Sequence, residues 1–287
     1  MRYAVFTVGL PDYTPEQAVS TLRDLGYDGV EWRVTDQPPA NGNTPGFWAG
    51  NRCTWSLSSF VDDAPSIAAL TKQARLAMPS VGTYVTCEDL DAVERAMRGA
   101  ALLEAPQLRV NVPKYDGSTS YLKARDRAQA QYREVAEMAR QHGVRALIEI
   151  HMGNLTPSAS AAASFLHNFD PHDVGAIHDA GNMVYEGFEQ YRLGLEVLGP
   201  YLGHVHLKNA SWHLAGTRSD GSSEWRAGWA PITKGIVDME VLFRALHTIG
   251  YDGWVSFEDF STEKPLEERL RDNLGYVKQI AERVTKA

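Results

Sequence analysis

Short strand-like runs and longer amphipathic stretches alternate eight times along these 287 residues, and that rhythm leaves few folds open. The runs fall at residues 3–8, 29–32, 80–85, 107–112, 145–151, 174–179, 202–207 and 253–258. The first intervening helix is announced by Thr14-Pro15-Glu16-Gln17, with Thr as cap, Pro at the first helical position and Gln closing a capping box. Gly26 stops it. Further helices are expected at 66–77, 88–104, 121–142, 157–168 and 188–198, after Asp238, and from Leu266 to the end. In the helix at 121–142, Leu122, Ala128, Tyr132, Val135, Ala136 and Ala139 are expected to face inward. Strand–helix alternation predicts parallel strands joined by right-handed crossovers. Eight such units favour closure. The expected fold class is α/β, a parallel eight-stranded (β/α)8 barrel of the TIM type, spanning 1–287 as a single domain. Residues 35–60 and 209–237 read as irregular, and the second is a candidate lid.

The run His204-Val205-His206-Leu207-Lys208-Asn209 alternates with period two. His204, His206 and Lys208 share one face, which needs an anion, a metal or water opposite it. Three other runs end in acids: Glu149 in 145–151, Asp179 in 174–179 and Glu258 in 253–258. In barrels of this kind the working face lies at the C-terminal ends of the strands. Glu149, Asp179, His206 and Glu258 are therefore expected to meet around one metal ion. Any one strand-end acid is more often a helix cap, and a lone His is usually packed and hydrogen bonded. Four on successive strands carry the metal reading. Oxygens plus one imidazole suit Mn²⁺ first, with Mg²⁺, Co²⁺ and Zn²⁺ compatible, and the set lacks the thiolates of a structural zinc site. His151, two residues beyond Glu149, should sit just above the metal and could protonate a leaving oxygen. Lys208 could stabilise an oxyanion or form a salt bridge to Glu149 or Asp179. His204 is expected deeper in the barrel, and His178 on the opposite face from Asp179.

Composition narrows the partners. With 44% apolar residues the chain can bury a sizeable core, and its net charge of -8 argues against a general nucleic-acid or anionic-membrane binder. No apolar run approaches a membrane span, and the start shows no signal-peptide layout. Two cysteines, Cys53 and Cys87, make no metal or redox spacing. A cytoplasmic protein acting on a small molecule is expected, and a homo-oligomer is compatible. Trp48, Trp55, Trp212, Trp225 and Trp229 all follow barrel strands; most should pack loops onto the rim, with one or two lining a pocket.

The chain resembles the xylose isomerase-like barrels of the sugar phosphate isomerase/epimerase group. The resemblance rests on Gly26-Tyr27-Asp28-Gly29-Val30-Glu31, Ile148-Glu149-Ile150-His151, Asp179-Ala180-Gly181-Asn182, the run from His204 to Asn209, and Gly250 through Glu258. It implies metal ligands at Glu149, Asp179, His206 and Glu258, with Glu149 and Glu258 also serving as acid and base on opposite faces of a substrate. Ketose epimerases of the group often carry a His where this chain has Asn182 and an Arg where it has Trp212, and no Gly-rich phosphate cradle is present. The expected activity is a divalent-metal-dependent sugar or keto-sugar isomerase/epimerase that abstracts an α-proton through a metal-stabilised enediolate. The alternative is a lyase or dehydratase performing β-elimination on 3-keto-glycosides or inososes. A more distant one is an abasic-site endonuclease, which the negative charge disfavours.

Overall fold

A computed structural model describes residues 1–40, 42 and 44–286. Eleven strands follow chain order: β1 (Arg2–Phe6), β2 (Gly29–Val34), β3 (Thr54–Trp55), β4 (Val81–Thr83), β5 (Gln107–Arg109), β6 (Arg145–Glu149), β7 (Val174–Asp179), β8 (Leu202–Leu207), β9 (Asn209–Thr217), β10 (Ser223–Ala230) and β11 (Trp254–Phe257). Eight are parallel neighbours in the order β1-β11-β8-β7-β6-β5-β4-β2, and β1 pairs with β2 to close the ring. The short β3 extends β2 outside it. The expected barrel is therefore observed.

Helices α1 (Pro15–Leu25), α2 (Phe60–Gln73), α3 (Leu90–Leu102), α4 (Tyr121–His142), α5 (Ala159–Leu166), α6 (Ala180–Tyr185), α7 (Tyr191–Leu198), α8 (Met239–Thr248) and α9 (Leu266–Lys286) surround it. The capping box at Thr14 and Gln17 forms, and Gly26 ends α1 in the left-handed region at φ 84°. The core lies between ring and helices. Val30 and Trp32 of β2, Leu108 of β5, Ile148 of β6 and Val205 of β8 pack there against Leu22, Ile67, Met97, Tyr132 and Val277. Strand side chains of the other parity turn into the barrel.

Several boundaries move. β1 ends at Phe6 because Thr7–Gly9 turns into a 3-10 helix. α2 begins before Pro65, at Phe60, since Asp62 and Asp63 donate their N–H groups to the Ser59 carbonyl. Leu122 is 56% exposed and not inward; it sits in the first turn of α4. The segment 209–237 is not irregular. It opens with an antiparallel hairpin, β9 with β10, which the Gly- and Ser-rich composition concealed. Of the segment 35–60, residues 41 and 43 lie outside the described residues.

Gly99 shows how tightly the helices seat. It lies inside α3, where alanine would ordinarily help by about 0.5–1 kcal/mol. A Cβ there would stand 2.2 Å from Cδ1 of the fully buried Phe60 ring. Overpacking costs about 1–3 kcal/mol, so Gly99→Ala should destabilise. Urea unfolding checks the sign.

Candidate metal centre

The barrel strands deliver the site by parity. On β6, Ala146 and Ile148 enter the helix-facing core, so Glu149 points inward. On β8, Val205 and Leu207 do the same and leave His204, His206 and, just beyond the strand, Lys208 inside. Asp179 ends β7, and Glu258 follows Phe257 of β11. One ligand atom each from Glu149, Asp179, His206 and Glu258 lies within 4.8 Å of all the others. The four expected ligands are thus brought together, all nearly or wholly buried.

His206 is the pivot. Its Nδ1 faces Glu149 Oε1 at 3.3 Å, Glu258 Oε2 at 3.7 Å and Asp179 Oδ2 at 3.9 Å. Its Nε2 points the other way, to Glu31 at 3.2 Å. Asp179 also caps α6, accepting from the Asn182 N–H at 2.9 Å through Oδ1. Asp179 Oδ2 and Glu258 Oε2 are left to the ammonium of Lys208, whose Nζ forms ion pairs with both. The expected Lys208–Asp179 bridge is present; its second partner is Glu258, not Glu149.

Arg109 was missed from the sequence. It turns into the barrel from β5 and its Nη1 donates to Glu149 Oε2 at 2.5 Å, both groups buried. The alternation Leu108-Arg109-Val110 carried the signal. Glu31 was missed for the same reason, in Val30-Glu31-Trp32. Asn182 donates to Glu149 Oε1 and the Ile150 carbonyl and accepts from Lys208 at 3.0 Å. Trp212 sits on the hairpin, donating to the Val184 carbonyl at 2.8 Å.

The electrostatics are those of mutual restraint. Burial pushes Glu149 up, but Arg109, His206 and Lys208 outweigh it and hold the carboxyl well below its usual range. Glu258 is lowered too: burial is overcome by Lys208 and His206. Asp179 goes the other way, raised by burial with Glu258 and Glu149 adding to it. Burial disfavours charged His206, yet Glu31, Glu149 and Glu258 raise it well above normal. Four carboxylates, counting Glu31, thus face two permanent cations, Arg109 and Lys208. A divalent ion taking the place of the His206 proton would bring the cluster to neutrality and would join Lys208 on Asp179 Oδ2 and Glu258 Oε2. The residues fit such an ion, and Glu149, Asp179, His206 and Glu258 are the ones that would hold it.

Above the cluster lies a cavity of about 490 Å³. Glu149, His151, Lys208 and Glu258 line its floor, and Trp48, Tyr84, Trp229 and Phe260 form an aromatic wall. Asn111, Lys114 and Asn154 make a polar side. Of the five loop tryptophans, Trp48 and Trp229 reach the cavity. His151 Nδ1 lies 2.7 Å from the Met152 carbonyl, so Nδ1 carries a hydrogen, and in the neutral ring Nε2 is the basic nitrogen.

The chain matches the family model of the xylose isomerase-like TIM barrel over residues 19–280. It belongs to that family. Among curated proteins, an inosose dehydratase of Geobacillus thermodenitrificans is 26% identical over 148 residues, 48% of each chain, so this chain spans about half the length of the curated relatives it matches. The structure is similar to a probable 3-DHS dehydratase involved in petrobactin synthesis from Bacillus anthracis, with TM-score 0.72 and 16% identity over 97% of this chain and 99% of that one. It is also similar to a 3-keto-D-glucoside 4-epimerase from E. coli, with TM-score 0.71 and 16% identity over the same shares. At such identities the likeness is one of fold, and xylose isomerase-like barrels host both eliminations and epimerisations among these relatives. No helix among the described residues is long and apolar enough to cross a membrane.

Proposed function

We propose that this xylose isomerase-like barrel is a divalent-metal-dependent enzyme that removes a proton from the carbon beside a carbonyl of a polyhydroxylated keto substrate and then expels a β-oxygen as water or an alcohol. The observation that carries the choice of elimination is the division of labour on the cavity floor. Both oxygens of Glu149 have a use other than as a base: Oε2 accepts from Arg109, and Oε1, beside Asn182 and His206 Nδ1, is the one left for the ion. Glu258 is paired with Lys208. His151 Nε2 has no hydrogen-bond partner among the described residues, its Nδ1 being the atom that meets the Met152 carbonyl.

A divalent ion held by Glu149, Asp179, His206 and Glu258 would supply Lewis-acid polarisation of the substrate carbonyl. His151 Nε2 takes the α-proton. The C–H electron pair becomes the new C=C bond as the β-carbon–oxygen bond breaks, and the His151 imidazolium returns its proton to the departing oxygen, releasing water from a free hydroxyl or the alcohol from a glycosidic oxygen. Lys208, raised above its usual value despite burial because Asp179, Glu258 and Glu149 surround it, stays charged and stabilises developing negative charge on oxygen. The aromatic wall excludes water and offers ring faces to the carbon skeleton. The ion is expected to be Mn²⁺, and the substrate a cyclic or glycosidic keto-sugar.

Incubating the metal-loaded protein in D₂O with inososes, 3-keto-glycosides and ketoses tests this. An unsaturated product is expected, and His151→Gln should lower turnover by about 10²–10⁴-fold. A wild-type rate in His151→Gln would sink the role given to His151. The epimerase reading has its own support: Glu149 and Glu258 both line the cavity. Deuterium entering recovered substrate or its epimer with no loss of water or alcohol would favour it.

Metal binding should also release protons, because His206 is raised well above normal in the metal-free protein. Mn²⁺ affinity should therefore fall as pH drops. Calorimetry in buffers of different ionisation enthalpy reads the proton count; none released would contradict the assignment of His206.

A further inference from the structure

Glu31 has no part in the chemistry above, yet it is a wholly buried carboxylate inside the barrel. Such a group is costly unless it is hydrogen bonded. Its partners are two imidazoles: His204 Nε2 lies 3.0 Å from Oε2, and His206 Nε2 lies 3.2 Å from Oε2 and 3.3 Å from Oε1. We infer that Glu31 is a positioning residue for the metal centre, clamped by His204 so that it holds His206 with Nδ1 turned to the three ligand carboxylates. This rests on the reading of those ligands as a metal centre.

An ionised carboxylate only accepts, so both imidazoles donate to it from Nε2. His206 then keeps a hydrogen on Nε2 when metal is bound, and Nδ1 is the atom that gives up its proton to make way for a cation. The ring is further fixed by Phe6 of β1, which stacks on it at 5.6 Å and 27°. Phe6 is the register partner of Glu31, so one pair of neighbouring strands sets both the tilt and the tautomer of His206. His204 has a different task. It projects from the same strand two residues earlier, its ring 5.2 Å from that of His206 and nearly perpendicular at 82°. Its Nδ1 is buried with no partner among the described residues, so its one polar commitment is to Glu31. It fixes the carboxylate that fixes the ligand. Partners of this kind raise ligand basicity and hold geometry, and their loss costs about 10–100-fold in metal affinity. Glu31, His204 and His206 are also close enough to hold an ion themselves, but His206 Nδ1 already faces the other three ligands and the clamp uses both Nε2 atoms.

Mn²⁺ titration of the full chain by calorimetry, comparing wild type with Glu31→Gln, Glu31→Leu and His206→Gln, tests the inference. Glu31→Leu should bind Mn²⁺ about 10–100-fold more weakly. Glu31→Gln should lose less, because its amide oxygen still accepts from Nε2–H. A purely structural Glu31 would lower the thermal midpoint without moving the Mn²⁺ affinity, and that result overturns the inference. So does a wild type that binds two ions and loses one in the Glu31 variants. If Glu31→Leu does not fold, the histidine ¹⁵N spectrum of the metal-loaded wild type decides: hydrogen on Nε2 of His206 supports the clamp, and hydrogen on Nδ1 overturns it. If His206→Gln binds as tightly as wild type, the metal-centre reading itself has failed.

Discussion

Replacing Arg109 with leucine is expected to lower the unfolding free energy of the metal-free protein by about 3–5 kcal/mol, the usual cost of stranding a buried charge. Arg109 is 2% exposed and Glu149 is equally buried. Their ion pair is supported by Arg109 Nε donating to the Thr83 carbonyl at 2.7 Å and by the guanidinium lying 4.4 Å from the Tyr84 ring centre. Leucine removes the charge, the hydrogen bonds and the stacking together, and leaves Glu149 facing Asp179 and Glu258. Two controls isolate the cause. Adding Glu149→Gln to Arg109→Leu should recover part of the loss, since no uncompensated charge remains. The gap between wild type and Arg109→Leu should also narrow in acid. Glu149 is depressed in the folded protein, so its contribution is complete above the usual glutamate value of 4.5 and is lost as pH falls below it. Urea unfolding at pH 7 and pH 4 measures both. A loss under about 1 kcal/mol at pH 7, the scale of an exposed pair, would contradict the account.

Glu258→Gln should have the largest effect on turnover. The change is nearly isosteric, so packing against Phe257 and Phe260 should survive. It removes one of the three carboxylates of the proposed ligand set and leaves Lys208 with Asp179 as its one anionic partner. With Mn²⁺ at a fixed subsaturating level, turnover should fall by at least about 10²–10⁴-fold. Raising Mn²⁺ should restore part of it if Glu258 serves as a ligand. No recovery at saturating Mn²⁺ would point instead to Glu258 as the acid or base of the epimerase scheme. Near-normal turnover at low Mn²⁺ would deny it both roles.

Period and punctuation made the barrel legible in the sequence. Val174–Asp179 and Leu202–Leu207 are bounded by turn residues on both sides, and the structure places both strands at those residues. α4 likewise runs from Tyr121 to His142, closed by Gly143. The four candidate ligands were legible because each lies at or next to the end of a strand, and strand ends share one face of a barrel. Arg109 and Glu31 were not, although their parity was visible. An acid or base within a run of Val, Leu and Trp reads as a solvated edge until the sheet is known to close and turn that face inward. The hairpin of β9 and β10 was hidden differently. Trp212, Leu214 and Trp225 leave large apolar side chains at 43–60% exposure, so alternation there has no buried face to mark. α6 is six residues long, too short to show a helical period.

The central claim is that Glu149, Asp179, His206 and Glu258 hold one divalent cation at the mouth of the barrel. Anomalous diffraction from crystals soaked in Mn²⁺ tests it most directly. The account predicts a single strong peak about 2.0–2.3 Å from an oxygen of each carboxylate and from Nδ1 of His206. A peak between Glu31, His204 and His206, or none at saturating Mn²⁺, would contradict it.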